Sequence, residues 1–173
     1  VTDSINREDT ATSQYIAYQG GYIKYSNDGV SYYTDKGKAI WNQTYSMQKP
    51  QVKMCEECVA VGDINGNTVY VFNKSGLLGK IDTSLVISQI EVAANGAVVA
   101  VLEDNEANYI NMYSKEGTKI YSIKTTVSGD GYPLDVSISN DAAKLIASYV
   151  YVSGEDIKTN VVFYNFSEVG QNE

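Results

Sequence analysis

Histidine is absent from the 173 residues. That removes the commonest general base, the commonest metal ligand and the usual partner of a serine or cysteine nucleophile, so catalysis becomes a disfavoured function class. Proline occurs twice and cysteine twice. No apolar run approaches the twenty or so residues that a helix needs to cross a bilayer, and no signal peptide is visible. Basic residues number 13 against 21 acidic ones, a net charge of −8. This balance disfavours nucleic acid as a partner and docking on an anionic membrane surface, and is most simply a solubility feature. The first residue is Val1 rather than Met, which points to an excised or processed product with any anchor or export signal upstream.

What the chain has in quantity is tyrosine, fifteen in all, with many Val, Ile and Thr. These residues favour strands, and no segment carries a convincing helical period. Short apolar, Tyr-rich stretches run into polar turns and restart. Successive copies end in Tyr33-Thr-Asp-Lys-Gly37, Phe72-Asn-Lys-Ser-Gly76 and Tyr113-Ser-Lys-Glu-Gly117, with a degenerate fourth at Tyr164-Asn-Phe-Ser-Glu-Val-Gly170. The steps between the leading aromatics are 39, 41 and 51 residues. A repeat near that length, built from four short strands, is the pattern of propeller blades. The expected fold class is all-β: about four four-stranded antiparallel blades of a β-propeller, forming part of a larger one.

A polar lead-in occupies residues 1–14. The partial propeller follows over 15–173, with blades at approximately 15–49, 50–88, 89–134 and 135–173. In the first blade, Asn27-Asp28-Gly29 between two alternating runs is a hairpin cue. The second blade has strands at 52–54, 59–62, 68–73 and 78–83, turning at Glu56-Glu57 and Asn65-Gly66-Asn67. The third has strands at 90–93, 97–103, 109–114 and 119–125. In the fourth, residues 135–149 read as strand, Ser-Asn-Asp turn and returning strand. A third strand at 159–166 follows a longer loop at Ser153-Gly154-Glu155. Part of a ring leaves two blade faces without a neighbour, each a larger apolar patch than monomers usually show, and a homodimer through those faces is one relief.

Several phrases carry a family resemblance. Lys24-Tyr25-Ser26, Asp28-Gly29, Ile40-Trp41-Asn42-Gln43, Gly129-Asp-Gly-Tyr-Pro-Leu-Asp135 and Asn160-Val-Val-Phe-Tyr-Asn-Phe-Ser-Glu-Val-Gly170 resemble a Gram-positive bacterial family known only as domain of unknown function 5711. The resemblance covers nearly the whole chain from Tyr15 onward. It implies an outward-facing, cell-surface propeller, anchored through a segment outside this chain, of which these residues form the first half. More distantly, Asp35-Lys-Gly-Lys-Ala-Ile-Trp41 resembles the Gly-Lys-x-x-Trp repeat of quinoprotein-like propellers, relatives of the WD40 type, in which Trp docks between neighbouring blades. The family brings no assigned activity.

Candidate sites are few. Cys55-Glu-Glu-Cys58 straddles a strand–turn–strand hairpin. Zinc would need two further Cys or His ligands that the chain does not offer, and a redox motif would open a helix. The plain reading is two small strand residues packed in the blade, with a local disulfide between Cys55 and Cys58 as the alternative. Asp63-Ile-Asn-Gly-Asn67 resembles a calcium loop only superficially, because Gly falls at its fourth place and Lys74 at its twelfth. Glu103, Asp104 and Glu106 read as a solvated hairpin tip. Trp41 reads as an inter-blade residue. Tyr132, Tyr149 and Tyr151 are candidate binding-surface aromatics.

The expected function is a non-enzymatic binding or scaffolding module, exposed at the cell surface, with no catalytic residue, cofactor or metal. Its partner would be a protein, peptide or envelope polymer. Two alternatives stand beside it: a fragment of a quinoprotein-like or hydrolytic propeller enzyme, and a structural spacer in an envelope assembly.

Overall fold

The computed structural model describes residues 13–167; most of the lead-in and Gly170, which ends the fourth repeat copy, lie outside them. The regular structure of the described residues is entirely β, in four antiparallel sheets whose strands follow one another in chain order. The first sheet holds β1 (Gln14–Tyr18), β2 (Gly21–Ser26), β3 (Gly29–Thr34) and β4 (Ala39–Thr44). The second holds β5 (Pro50–Cys55), β6 (Cys58–Asp63), β7 (Thr68–Asn73) and β8 (Gly76–Asp82). The third holds β9 (Val86–Val92), β10 (Val98–Glu103), β11 (Asn108–Tyr113) and β12 (Lys119–Thr125). The fourth has three strands, β13 (Tyr132–Ile138), β14 (Lys144–Ser153) and β15 (Asp156–Asn165). These are propeller blades stacked side by side.

The repeat seen in the sequence is a turn. After each leading aromatic the chain reverses, and Gly37, Gly76 and Gly117 take φ of +75°, +125° and +95°, a region that side chains with a Cβ avoid. In the first and third sheets the bonding is the same: Gly37 N–H donates to Thr34 O at 3.0 Å and Gly117 N–H to Ser114 O at 2.9 Å. Both prolines fall near the start of the first strand of a sheet, Pro50 in β5 and Pro133 in β13. Those strands are sheet edges, where a missing N–H costs least.

Three apolar cores lie between consecutive sheets. Ile23, Val30 and Tyr32 of the first sheet meet Val59, Val61 and Phe72 of the second. Ala60, Val69, Val71 and Ile81 then meet Ile87, Ile90, Val98 and Leu102 of the third. Val99, Val101, Ile110 and Met112 in turn meet Val136, Leu145, Ala147 and Tyr149 of the fourth. Odd and even positions of β6 and β10 therefore enter different cores, which is why both read as unbroken apolar runs. Each fully buried aliphatic side chain contributes about 1.5–3 kcal/mol, and no sheet could bury its faces alone.

Among the boundaries that differ from the sequence expectation, two stand out. β9 begins at Val86 rather than 90, because a bulge between Val101 and Leu102 shifts the register so that Ile87 and Val86 pair with Leu102 and Glu103. There is no longer loop at Ser153-Gly154-Glu155: Ser153 pairs with Asp156 across a two-residue turn, with Gly154 at φ +67°. β14 and β15 are consequently ten residues each.

The strand directions give the stack two rims. On the lower rim lie the first turn of each sheet and the third turn of the first three sheets. On the upper rim lie the second turns and the connections between sheets. The first turns are tied together: Tyr18 Oη donates to Glu57 O at 2.6 Å, Gln19 Nε2 to Glu56 O at 3.0 Å, and Ala94 N–H to Asn140 O at 2.9 Å. Asn140 Nδ2 also reaches Glu56 Oε1, at 3.3 Å.

Candidate functional site

The upper rim carries a groove of about 580 Å³ between the second and third sheets. Its walls are Asn65 to Asn67 from the β6–β7 turn, Ser84 to Val86 from the connection into β9, and Glu103 to Asn105 at the end of β10. The loops are fixed by their own bonding. Asn65 N–H donates to Ile87 O and Ile87 N–H to Gly66 O, each at 2.8 Å. Thr83, almost fully buried, donates its hydroxyl to Leu85 O at 2.7 Å, and its N–H to Asn67 O at 2.8 Å. Asn65 adopts φ +70°, a conformation that Asn tolerates better than most residues. Gly66 packs so close to Asp63 that an added Cβ would lie 2.4 Å from its carboxylate oxygen.

The side chains of Asn65, Asn67, Ser84, Asp104 and Asn105 are left exposed above this frame. The groove thus presents carboxamide, hydroxyl and carboxylate groups over an apolar floor at Leu85 and Val86. Its surroundings are acidic. Asp82, Glu103, Asp104 and Glu106 surround it, Asp28 and Asp63 stand on one side, and Asp130, Glu155 and Asp156 on the other. Among the described residues there, Lys49 lies in a turn and Lys80 pairs with Asp82 at 2.8 Å, whereas the lower rim turns hold Lys36, Lys38, Lys74 and Lys115 among their acids. The upper rim is the more acidic of the two.

Asp63 and Asp130 are structural rather than available. Asp63 Oδ1 accepts the N–H groups of Gln48 and Lys49 at 3.0 and 2.9 Å, and Asp130 Oδ2 accepts Thr126 N–H at 2.8 Å. The superficial calcium-loop residues are therefore a turn whose carboxylate caps the connection between the first and second sheets. Among the described residues, no group of three or more acidic or thiol side chains is placed to hold a metal ion. Likewise, no helix among them is long and apolar enough to cross a membrane.

The aromatics nominated from the sequence do not converge. Tyr149 is 1 % exposed and belongs to the core between the third and fourth sheets, its hydroxyl 2.8 Å from that of Tyr164. It is a core residue and not a surface aromatic, because it shares the inward parity of Leu145 and Ala147 on β14. Tyr132 and Tyr151 are half-buried at the upper end of the fourth sheet. Tyr132 donates its hydroxyl to Glu103, and that bond together with burial pushes its pKa up to about 12. It thereby borders the groove. Trp41 stacks on Phe72 with ring centroids 4.9 Å apart and planes at 8°, between the first and second sheets as the quinoprotein-like motif implies.

Cys55 and Cys58 pair directly across the Glu56-Glu57 turn, and both are free thiols. The alternative disulfide is not formed, since the buried Cys58 Sγ is directed across the sheet interface and donates to Ala94 O at 3.1 Å. Burial raises the pKa of both thiols.

The residues of the groove went unrecognised in the sequence because each turn reads alone as a solvated tip. The repeat itself was the available signal: Asn65–Asn67 and Asp104–Glu106 occupy the same turn of consecutive blades and must share a rim.

The chain belongs to the family of unknown function DUF5711, whose pattern matches residues 1–173. No curated protein matches it. Among solved structures it is similar to the WD40 domain of Neurospora crassa Pan2, with 15 % identity, a TM-score of 0.54, and coverage of 90 % of this chain and 48 % of that one. It is also similar to Hsv2p of Kluyveromyces lactis, with 11 % identity, a TM-score of 0.60, and coverage of 95 % and 52 %. For BamB of Moraxella catarrhalis the values are 14 %, 0.55, and 85 % and 41 %. These likenesses establish the propeller fold, WD40-like and quinoprotein-like. The chain spans about half the length of the structures it matches, or less.

Proposed function

We propose that the chain is a non-enzymatic binding or scaffolding module that receives a protein, peptide or envelope polymer at its upper rim. The observation that carries this reading is the groove, whose polar side chains stand exposed on loops that are already locked by backbone bonds. Preorganised loops bind without an ordering cost, and propellers characteristically leave such loops at one rim. The acidic surround favours a segment that carries hydrogen-bond donors and positive charge, with association that weakens as salt rises. The family resemblance supports a place on the outside of a Gram-positive cell, held by an anchor outside these residues. A second copy of the chain, bound through the open blade faces, is part of the same reading.

The test is retention of envelope-fraction proteins and polymers on the immobilised chain, compared with the double variant Ser84→Ala, Asn105→Ala. A retained species that elutes with salt and is lost with the variant is the expected result. Retention identical for both, or none, removes the groove from the reading.

A further inference from the structure

The turn between β5 and β6 is where the lower rim is fastened. Its two residues, Glu56 and Glu57, accept bonds from Gln19 and Tyr18 of the first sheet, and Glu56 accepts Asn140 Nδ2 of the fourth. Lys74 Nζ, on the next turn of the same rim, donates to Glu57 Oε1 at 2.7 Å. Glu56 takes φ +53°, the chain reverses within two residues, and Cys55 faces Cys58 directly in the ladder. Direct partners of an antiparallel ladder put their side chains on one face of the sheet. For this pair it is the face that meets the third sheet, where Cys58 lies in the core and Cys55 packs against it. Both are free thiols, Cys58 buried and Cys55 half-buried.

Directly paired residues of an antiparallel ladder lie about 4.5–5.5 Å apart at Cα, within the span of roughly 4.4–6.8 Å that a disulfide bridges. A bond between these two sulfurs therefore needs side-chain rotation and no movement of the backbone. The loop it closes runs only from Cys55 to Cys58, and so short a loop removes little entropy from the unfolded chain. Such a bridge is no staple of the fold. What it changes is one contact. The Cys58 thiol donates to Ala94 O at 3.1 Å, linking the second sheet to the third. A disulfide sulfur carries no hydrogen, so the bridge takes that donor away. Ala94 is also the residue whose N–H holds Asn140 O of the fourth sheet, at 2.9 Å. Bonds from all four sheets thus converge on the turns that the two cysteines border.

We propose that Cys55 and Cys58 form a reversible dithiol site, oxidised by disulfide exchange, whose closure releases the contact of the second sheet with Ala94. The oxidant is a disulfide, RSSR. Cys55, the more exposed of the two, gives up its proton, and its thiolate attacks one sulfur of RSSR. A mixed disulfide forms and the first RSH leaves with that proton. The Cys58 thiolate then attacks the Cys55 sulfur, the Cys55–Cys58 bond forms, and the second RSH leaves with the Cys58 proton. Two cysteine thiols are oxidised and one disulfide is reduced to two thiols. Burial raises the pKa of both cysteines, which slows the exchange and leaves its end point to the redox poise of the surroundings. The site lies on the rim opposite the groove and does not rest on the proposed binding role.

The test equilibrates the folded chain with oxidised glutathione, quenches it with acid, weighs it intact and then alkylates it in urea. Circular dichroism before the quench confirms the fold. The expected product is two hydrogen atoms lighter and takes up no alkyl group, and excess reduced glutathione restores both thiols. Cys58→Ser should stop with one glutathione joined to Cys55; if that variant does not fold, Cys58→Ala is read in the same way. A glutathione that persists on the unmodified chain, a covalent dimer, or two thiols still open to alkylation overturns the proposal. So does a bridge that excess reduced glutathione leaves intact. Carbon NMR reads the contact itself. The Ala94 carbonyl resonance should move on oxidation and stay in place in Cys55→Ser given the same reagent, because Cys58 there keeps its hydrogen. An Ala94 resonance unmoved by oxidation overturns the release. Retention at the groove is measured on the reduced chain, so the two readings fail separately.

Discussion

Replacing Phe72 with alanine tests the idea that the sheets are held by pairwise cores. Phe72 is fully buried and sits wholly in the core between the first and second sheets, stacked on Trp41 at 4.9 Å and near Tyr70 at 6.3 Å. Truncating a buried phenylalanine costs about 3–5 kcal/mol from lost transfer energy and the cavity left behind. The lost stacking belongs to that range and adds about 0.5–1.5 kcal/mol beyond area alone. A loss of about 4 kcal/mol is close to a thousandfold in the folded-to-unfolded ratio and a large share of a domain's stability. Urea unfolding should show a midpoint lower by about 2 M for a slope near 2 kcal/mol per M. Hydrogen exchange should localise the damage, since neighbouring units in a stack are coupled only to each other. Amides of β1 to β4 should lose protection more than those of β13 to β15. The exposed Ile120→Ala should stay within about 0.5 kcal/mol of the unmodified chain. A loss below about 1 kcal/mol in Phe72→Ala, or equal loss of protection in the first and fourth sheets, would refute the reasoning.

Three further outcomes follow from single contacts. Tyr132 is held protonated to about pH 12 by Glu103, and Tyr18 to about the same pH by burial, against 10.0 when unperturbed. Their contribution to stability is present below pH 10 and is lost as pH rises from 10 toward 12. Tyr132→Phe should flatten that decline in thermal unfolding, and an unchanged decline would speak against the Glu103 bond. In Gly79→Ala the new Cβ would sit 2.1 Å from Lys115 O, so the outer strand of the second sheet must move away from the third. A loss of about 1–3 kcal/mol is expected in calorimetry, and a neutral effect would contradict the close approach. Under native conditions, iodoacetamide followed by intact mass should label Cys55 before Cys58 and both slowly, because burial raises the pKa of both thiols; a mass two hydrogen atoms low before labelling would mean a bridge.

How much of this was legible in the residues depends on the range of the interaction that decides it. The four blades were readable because their turns carry Gly and Asn at positions where φ is positive, as at Gly37, Asn65 and Gly117. Trp41 was readable because a local motif brings its docking role with it. The early start of β9 was not, since it depends on a bulge in the neighbouring strand at Val101/Leu102. The long β14–β15 hairpin was missed because Asp156 and Lys158 are polar on an outer strand that has little apolar surface to cover. Tyr149 could have been placed by counting parity from Leu145 along β14. The bond from Tyr132 to Glu103 spans 29 residues and two sheets, and the groove needs three separate loops. Neither has a local signature.

The bonds among Tyr18, Glu57, Gln19, Glu56 and Asn140 act like the pivot of a folding fan. They fasten one border of the leaves, leapfrogging a unit where Asn140 meets Glu56, while among the described residues no hydrogen bond joins nonadjacent leaves at the far border. There the ties run between neighbours, Asn65 and Gly66 to Ile87, so the width of the mouth is held where it opens.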